Sequence, residues 1–464
     1  MCVLLPHSIP VLLPTRSPHC PLFCCLCILV AVLLSAGASR AQRSSASRPA
    51  LTSLLAAPHN LPTSPRRLAD FVAVAQQNSP QLIELANQVS QNRLDSLRRK
   101  AQNGILINGT GAAVLYPSIR NRQGEAVLGY DQAITNGGNY AVVGQVSKPV
   151  FNRALLANDY RILGNQGQVL RNNRQLSALD LRRTVTDQFL TAYAAQLQLD
   201  FARGLLTQLR QQDRQLRQLV EAGIFKQTQY LSFYLSVRTQ EVTVDQNRLA
   251  YRRELGTLRA LAGVADTALV ALEIPTPPTR RPLAGLLAPA QRQYTLDSLR
   301  NLFDRRAVDT YYLPRVSVVA DAGLQSTSYL PRALSHSFGA SGGLLLSIPV
   351  YDGHQRQLQY QRIALSEQSR RGYRQFITVQ RRQQYEQLEG QIRAADALLV
   401  RIREQLRIAQ TLVGATRQQL ATGDVVILDY LNVVTSYRTL QFSLSQAETD
   451  RLRSLYALDF LAEQ

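Results

Sequence analysis

The side chains that most often carry chemistry are sparse in this sequence and badly spaced for it. Past an apolar run near the amino end only three histidines remain, His59, His336 and His354, with no ligand-like spacing. All five cysteines (Cys2, Cys20, Cys24, Cys25 and Cys27) lie in or before that run, so a chain cleaved beyond it has neither a disulfide framework nor a thiolate metal site. Gly109 and Gly111 form half of a dinucleotide-type glycine pattern, but the third glycine is missing and the segment alternates like a strand. Asn108-Gly109-Thr110 fits a glycosylation sequon, read as a chance match. No nucleophile-and-base pair or phosphate loop stands out. The expectation is a protein with no catalytic residue, no cofactor and no metal, whose work is done by its architecture.

Two properties bound that architecture. Residues Leu22 to Leu34 are nearly all apolar and are followed by Ala36-Gly37-Ala38 and Ala41, the pattern of a secretory signal over about residues 1–41. No later apolar run approaches the ~20 residues a spanning helix needs, so any crossing of a membrane is expected to use strands. The formal charge of +20 comes almost wholly from arginine, since Lys100, Lys148 and Lys226 are the only lysines. These arginines are scattered along Gln- and Leu-rich segments and make no compact basic stripe. They read as solvated helix faces, with anionic lipid or anionic cargo as the other possibility and nucleic acid disfavoured.

The elements that must position everything else come in duplicate. Lys148-Pro149-Val150-Phe151-Asn152 returns 200 residues later as Ile348-Pro349-Val350-Tyr351-Asp352, and Gly223, Tyr230-Leu231 and Arg238 return as Gly423, Tyr430-Leu431 and Arg438. Each half reads as helix, strand pair, long helix, long helix. Repeat 1 is expected over 42–265, with strands in about 104–150 and helices at about 153–222 and 226–263. A Pro-rich linker covers 266–290. Repeat 2 fills 291–464, with strands in about 313–350 and helices at about 353–422 and 426–462. Leu399, Ile402, Leu406, Ala409, Val413, Thr416 and Leu420 step by threes and fours as a coiled-coil seam, and Leu199, Ala202, Leu206, Leu209, Asp213, Leu216 and Val220 repeat it 200 residues earlier.

The strand segments alternate. Phe338, Ala340, Gly342, Leu344, Leu346 and Ile348 share one face, as do Val316, Val318, Ala320, Ala322 and Leu324, and Tyr140, Val142, Gly144 and Val146. Such strands suit an outer-membrane barrel or a half-buried sheet on a soluble core. Four strands cannot close a barrel, and open edges are not tolerated in hydrocarbon. If the strands span a membrane, several chains must contribute, and three chains give the permitted even number of twelve.

In this order, and twice over, the motifs resemble those of the TolC-like outer-membrane efflux proteins: the Asn78-Ser79-Pro80 turn, the Pro-Val-Tyr-Asp-Gly corner from Pro349 to Gly353, and Gly423 followed by Asp429-Tyr430-Leu431. The resemblance implies a membrane α+β fold in which a homotrimer forms a twelve-stranded β-barrel, four transmembrane strands per chain, continuing into a long periplasmic coiled-coil barrel. It implies an outer-membrane channel extending into the periplasm, serving as the passive exit duct of a tripartite efflux or type I secretion system. The implied partners are a periplasmic adaptor protein, an inner-membrane pump of RND or ABC type, and outer-membrane lipid.

By the same resemblance the adaptor docks at the helical turns at Gly223 and Gly423, and the strands join the helices at corners marked by Pro149, Pro349, Asp352 and Gly353. The pore constriction falls on Asp429 and Asn432, with Gln229 and Ser232 as the first-half counterparts. Only Asp429 is acidic. Residues that lock the closed gate in some relatives fall on Leu420 and Val425, which cannot make polar bonds. A ring of symmetry-related Asp429 carboxylates would attract cations; the plainer role is an acidic residue near the start of a helix. The alternative from another class is a soluble periplasmic coiled-coil adaptor or scaffold.

Overall fold

The computed structural model describes residues 65–464 except 118, 121–122, 124–125, 129–137, 151, 224–225, 280–287, 328–335, 423 and 464. The segment expected to be a secretory signal, Gly423 and the tips of the two strand loops thus lie outside the described residues.

Helix α1 (Leu68–Asn78) and helix α2 (Pro80–Gln102) meet at Ser79, whose hydroxyl accepts from the Leu82 amide while Pro80 fills the first helical position. A proline there forfeits no helical hydrogen bond, so the chain turns without breaking the second helix. Strand β1 (Leu106–Leu115), a small hairpin of β2 (Ile119–Arg120) and β3 (Ala126–Leu128), and β4 (Gly138–Pro149) follow. Helix α3 (Arg153–Glu221) has 69 residues, about 100 Å of rod at ~1.5 Å per residue. Helix α4 (Gln227–Ala262) returns alongside it. The second half repeats this order as α5 (Pro289–Tyr311), β5 (Arg315–Ser326), β6 (Phe338–Ser347), α6 (Gln355–Thr422) and α7 (Ile427–Glu463). The β2–β3 hairpin had no distinct signal in the sequence. Helix α5 opens at Pro289, inside the span expected to be linker, again with proline at its first position.

The expected linker is partly bound to the body. Leu272 is buried, its amide donates to the Gln196 side chain at 2.6 Å, and Tyr456 donates to the Thr276 carbonyl at 2.6 Å. Phe71, Val185, Phe189, Tyr251, Leu255 and Leu258 form the main apolar cluster beside it.

The four long strands form one antiparallel sheet in the order β1–β4–β5–β6. Its register brings apolar rows from all four strands onto one face, while Leu106, Val143, Val319 and Leu345 lie on the other. Ile107, Val146, Ala320 and Gly342 make one cross-sheet row, and Gly111, Val142, Leu324 and Phe338 another. On the opposite face the row Asn108, Gln145, Asp321 and Ser341 is wholly polar, with a hydrogen bond from Ser341 to Asp321. Because the side-chain period is two, a slip of one residue on any strand would mix the faces. The middle joint, β4 against β5, is tight at Gly323, where an added Cβ would lie 2.2 Å from the Val142 carbonyl oxygen.

Candidate functional site

The two long hairpins, α3–α4 and α6–α7, pack together near their turns. Gly223 ends α3 with φ +76°, and its amide donates to the Val220 carbonyl at 2.9 Å. Only glycine takes this left-handed conformation cheaply, and the bond satisfies a carbonyl that the helix end would otherwise leave open. At the second turn, flanking Gly423, the Asp424 amide reaches back to the Gln419 carbonyl at 2.9 Å, and Thr422 donates to the Asp424 carboxylate at 2.6 Å.

Below the turns, Leu206, Leu209 and Leu216 of α3 bury against Tyr430, Leu431 and Val434 of α7. The heptad seam explains this. Along α6 its residues are buried or half-buried while all their neighbours from 400 to 419 are exposed. Leu420, one of the two lock positions, is likewise spent on apolar packing. Asp429 and Asn432 sit one turn apart on the face of α7 turned away from this cluster, and both are exposed. Ser232 is exposed on α4, and Gln229 is half-buried. The four expected constriction residues are therefore near the two turns, with Asp429 and Asn432 side by side on an accessible face.

Polar bonds join the halves just behind that face. Gln212 donates to the Tyr430 hydroxyl at 3.0 Å, and Arg438 donates to the Gln208 side chain at 3.0 Å. Burial pushes the Tyr430 phenol up from its ordinary value, so it is a neutral partner. In the first half Arg238 turns along its own helix instead: it lies over the Tyr234 ring at 4.9 Å and bonds Glu241 at 2.8 Å. Glu241 also receives Arg210 at 2.8 Å; the Arg210 bond and then the Arg238 bond hold its carboxyl below the usual range.

At the strand-to-helix corners the sequence positions come together as two related ties. Pro149 is the last residue of β4, and Asn152 beyond it donates to Asn103 at the end of α2. Pro349 follows β6, Gly353 has φ +62°, and Asp352 accepts the His354 amide at 3.0 Å, the Arg356 amide at 2.9 Å and the Tyr312 hydroxyl from the end of α5. The Tyr312 bond and then the amide bonds hold the Asp352 carboxyl below its usual range, and the same contact pushes the Tyr312 phenol up to about 12.

A third tie is carried by asparagines spaced seven residues apart, a signal present in the sequence. Asn158, Asn165 and Asn172 recur every seven residues on α3, are all buried, and donate to the carbonyls of Phe303, Leu296 and Pro289 on α5 at 3.0, 3.0 and 2.9 Å. They form a heptad seam of polar residues beside the apolar ones.

The sequence matches no known family profile and no curated protein. Its backbone does match solved structures. A membrane protein from Pseudomonas aeruginosa is similar at TM-score 0.68 and 14% identity, over 85% of this chain and 90% of that one. The outer membrane protein VceC from Vibrio cholerae matches at 0.66 and 13%, over 85% and 94%. The open state of the Neisseria gonorrhoeae MtrE outer membrane channel matches at 0.67 and 12%, over 86% and 89%. At these identities the likeness is one of fold, and it covers nearly the whole of each partner. The chain has the TolC-like α+β fold seen in outer-membrane channels.

Proposed function

We propose that this chain is the outer-membrane channel of a tripartite efflux or type I secretion system, a passive exit duct without catalysis. The observation that carries the reading is the sheet: four strands in one register present an apolar face on one side and a polar row, Asn108, Gln145, Asp321 and Ser341, on the other, and among the described residues the outer edges of β1 and β6 have no partner strand. In hydrocarbon such edges must be closed, because an unpaired backbone group costs several kcal/mol there. Three copies would supply twelve strands around a polar lumen. The helices, about 100 Å long, would carry that lumen across the periplasm. The low identities leave the cargo open, since function lies in the site and not in the fold.

Within this reading the apolar face meets outer-membrane lipid, and the turns at Gly223 and Gly423 receive a periplasmic adaptor that links the duct to an inner-membrane pump of RND or ABC type. Asp429 and Asn432 line the narrowest ring, with Ser232 and Gln229 nearby. The accessible pairing of Asp429 with Asn432 on one helix face supports this placement. Cell fractionation with planar-bilayer recording is the test. Detergent-requiring trimers from the outer membrane that conduct ions are expected. A water-soluble monomer released by osmotic shock and unable to conduct would instead favour the adaptor or scaffold.

A further inference from the structure

Where β4 passes into α3 and α5 passes into β5, the fold encloses a cavity of about 280 Å³. Val150, Leu155, Leu313 and Pro314 make its walls apolar, and Arg153 and Arg315 add two positive charges. Arg153 is exposed, and among the described residues no carboxylate pairs with either arginine. Arg315 lies over the Tyr311 ring at 4.6 Å and donates to the Tyr311 carbonyl at 3.1 Å. Its Nε is buried and has no hydrogen-bond partner among the described residues.

The second repeat shows what such a corner can hold. There Asp352 stands before α6, and its carboxylate accepts the His354 amide at 3.0 Å and the Arg356 amide at 2.9 Å. Its counterpart 200 residues earlier is the neutral Asn152, whose side chain turns to Asn103 and caps no amide of α3. Arg153 stands where the second repeat has Gly353. One corner thus carries its own anion, while the other has more positive charge and none to meet it.

Lys148 fixes the level of the cavity relative to the sheet. It shares a cross-strand row with Val318 and Leu344, and among the described residues it is the only charged side chain on the apolar face. A lysine that ends an apolar face carries its ammonium to the headgroup level of a bilayer. Val150, two residues on and 54% exposed, continues that side of β4 to the cavity, about 7 Å further along. The cavity lies below the β4–β5 joint in the middle of the sheet, away from the outer edges of β1 and β6.

We propose that this cavity binds an anionic phospholipid of the periplasmic leaflet, with its phosphate between Arg153 and Arg315 and one acyl chain passing over Val150 onto the apolar face. The proposal rests on the duct reading and adds a lipid site to it. Guanidinium groups match phosphate oxygens in both charge and geometry, and the apolar walls suit the chain that a free anion lacks. A headgroup with its own cation binds more weakly, because that cation is held against the two arginines.

Native mass spectrometry of the full chain in detergent, mixed with phosphatidylglycerol, tests this. The trimer should retain the lipid, and Arg153→Gln combined with Arg315→Gln should retain about tenfold less. Arg153→Gln alone, at an exposed position, should lose about threefold and serves should the double variant fold poorly. Phosphatidylcholine should be held about tenfold less well than phosphatidylglycerol. An equal loss from Arg417→Gln, near the turns, would mean general charge attraction and overturn the site. Retention abolished by the same concentration of inorganic phosphate would assign the cavity to a free anion and overturn the lipid. Trimers that conduct ions but hold no phosphatidylglycerol would overturn the site and leave the duct reading standing. A water-soluble monomer that does not conduct would overturn both.

Discussion

The Asn78 side chain closes the carbonyl end of a helix 184 residues away. Its amide donates to Ala262 at 3.1 Å and to Gly263 at 3.2 Å, where α4 ends in a left-handed glycine with φ +67°. An added Cβ on Gly263 would lie 3.0 Å from the Asn78 Cβ. One asparagine thus ends α1 and covers the end of α4. Asn78→Ala should cost about 1–2 kcal/mol of stability, the usual scale for hydrogen bonds lost from a partly buried site. Gly263→Ala should cost a similar ~1–2 kcal/mol through the left-handed backbone alone. Denaturant titration in detergent checks both.

Replacing Asn158, Asn165 and Asn172 together by leucine should behave differently. The side-chain oxygens of Asn158 and Asn172 are buried without a hydrogen-bond partner among the described residues, so the asparagines are not optimal for stability. The triple variant should keep or raise its melting temperature. It should also lose uniqueness, because α3 then presents leucines where α6 carries the exposed Leu358 and Leu365. Native mass spectrometry should show fewer trimers and more mixed assemblies.

The tie between Asp352 and Tyr312 sets a pH window for the corner just outside the strands. A depressed carboxyl pKa gives stability that is complete above the unfolded value of ~3.9 and is lost as pH falls through the folded value. A raised phenol pKa gives stability complete below the unfolded value of ~10 and lost as pH climbs through about 12. Glu367, which binds Arg370 and Arg371 and accepts from Asn301 at 3.1 Å, is also held well below the carboxylate range, chiefly by Arg370, and strengthens the acid side. Proteolysis at this corner should be slow between about pH 4 and 10 and rise outside it. Asp352→Asn should flatten the acid limb.

Asp429→Asn should lower cation preference in a planar-bilayer recording, by removing every carboxylate of the proposed ring at once. Asn432→Asp should increase it. Unchanged reversal potentials in both variants would move the constriction elsewhere.

Much of this was legible because the chain is written twice. The seam from Leu399 to Leu420 and its copy located the long helices, and strict alternation located the strands. The apolar face needed the structure, because β1 contributes its odd-numbered residues and β4 its even ones, and only pairing reveals that Ile107 and Val146 are neighbours. The ties between halves were hidden for a related reason. Gln212 with Tyr430, and Asn78 with Gly263, lie about 200 residues apart, and neither member is unusual in its local context. The asparagine rungs were the exception, since a seven-residue spacing is visible in any sequence. Asp429 was placed by resemblance, and its exposure on a face shared with Asn432 comes from which side of α7 the apolar residues occupy.

Gly323 has one further consequence. Two backbones that approach so closely can coil past each other more sharply than residues with side chains allow, and glycine within a strand commonly marks such a bend. Gly323 lies where the last long strand of the first repeat pairs with the first strand of the second. In the proposed duct a flat ribbon of four strands could not wrap toward a neighbour's ribbon, and the missing methyl at this joint leaves the two backbones room to do so.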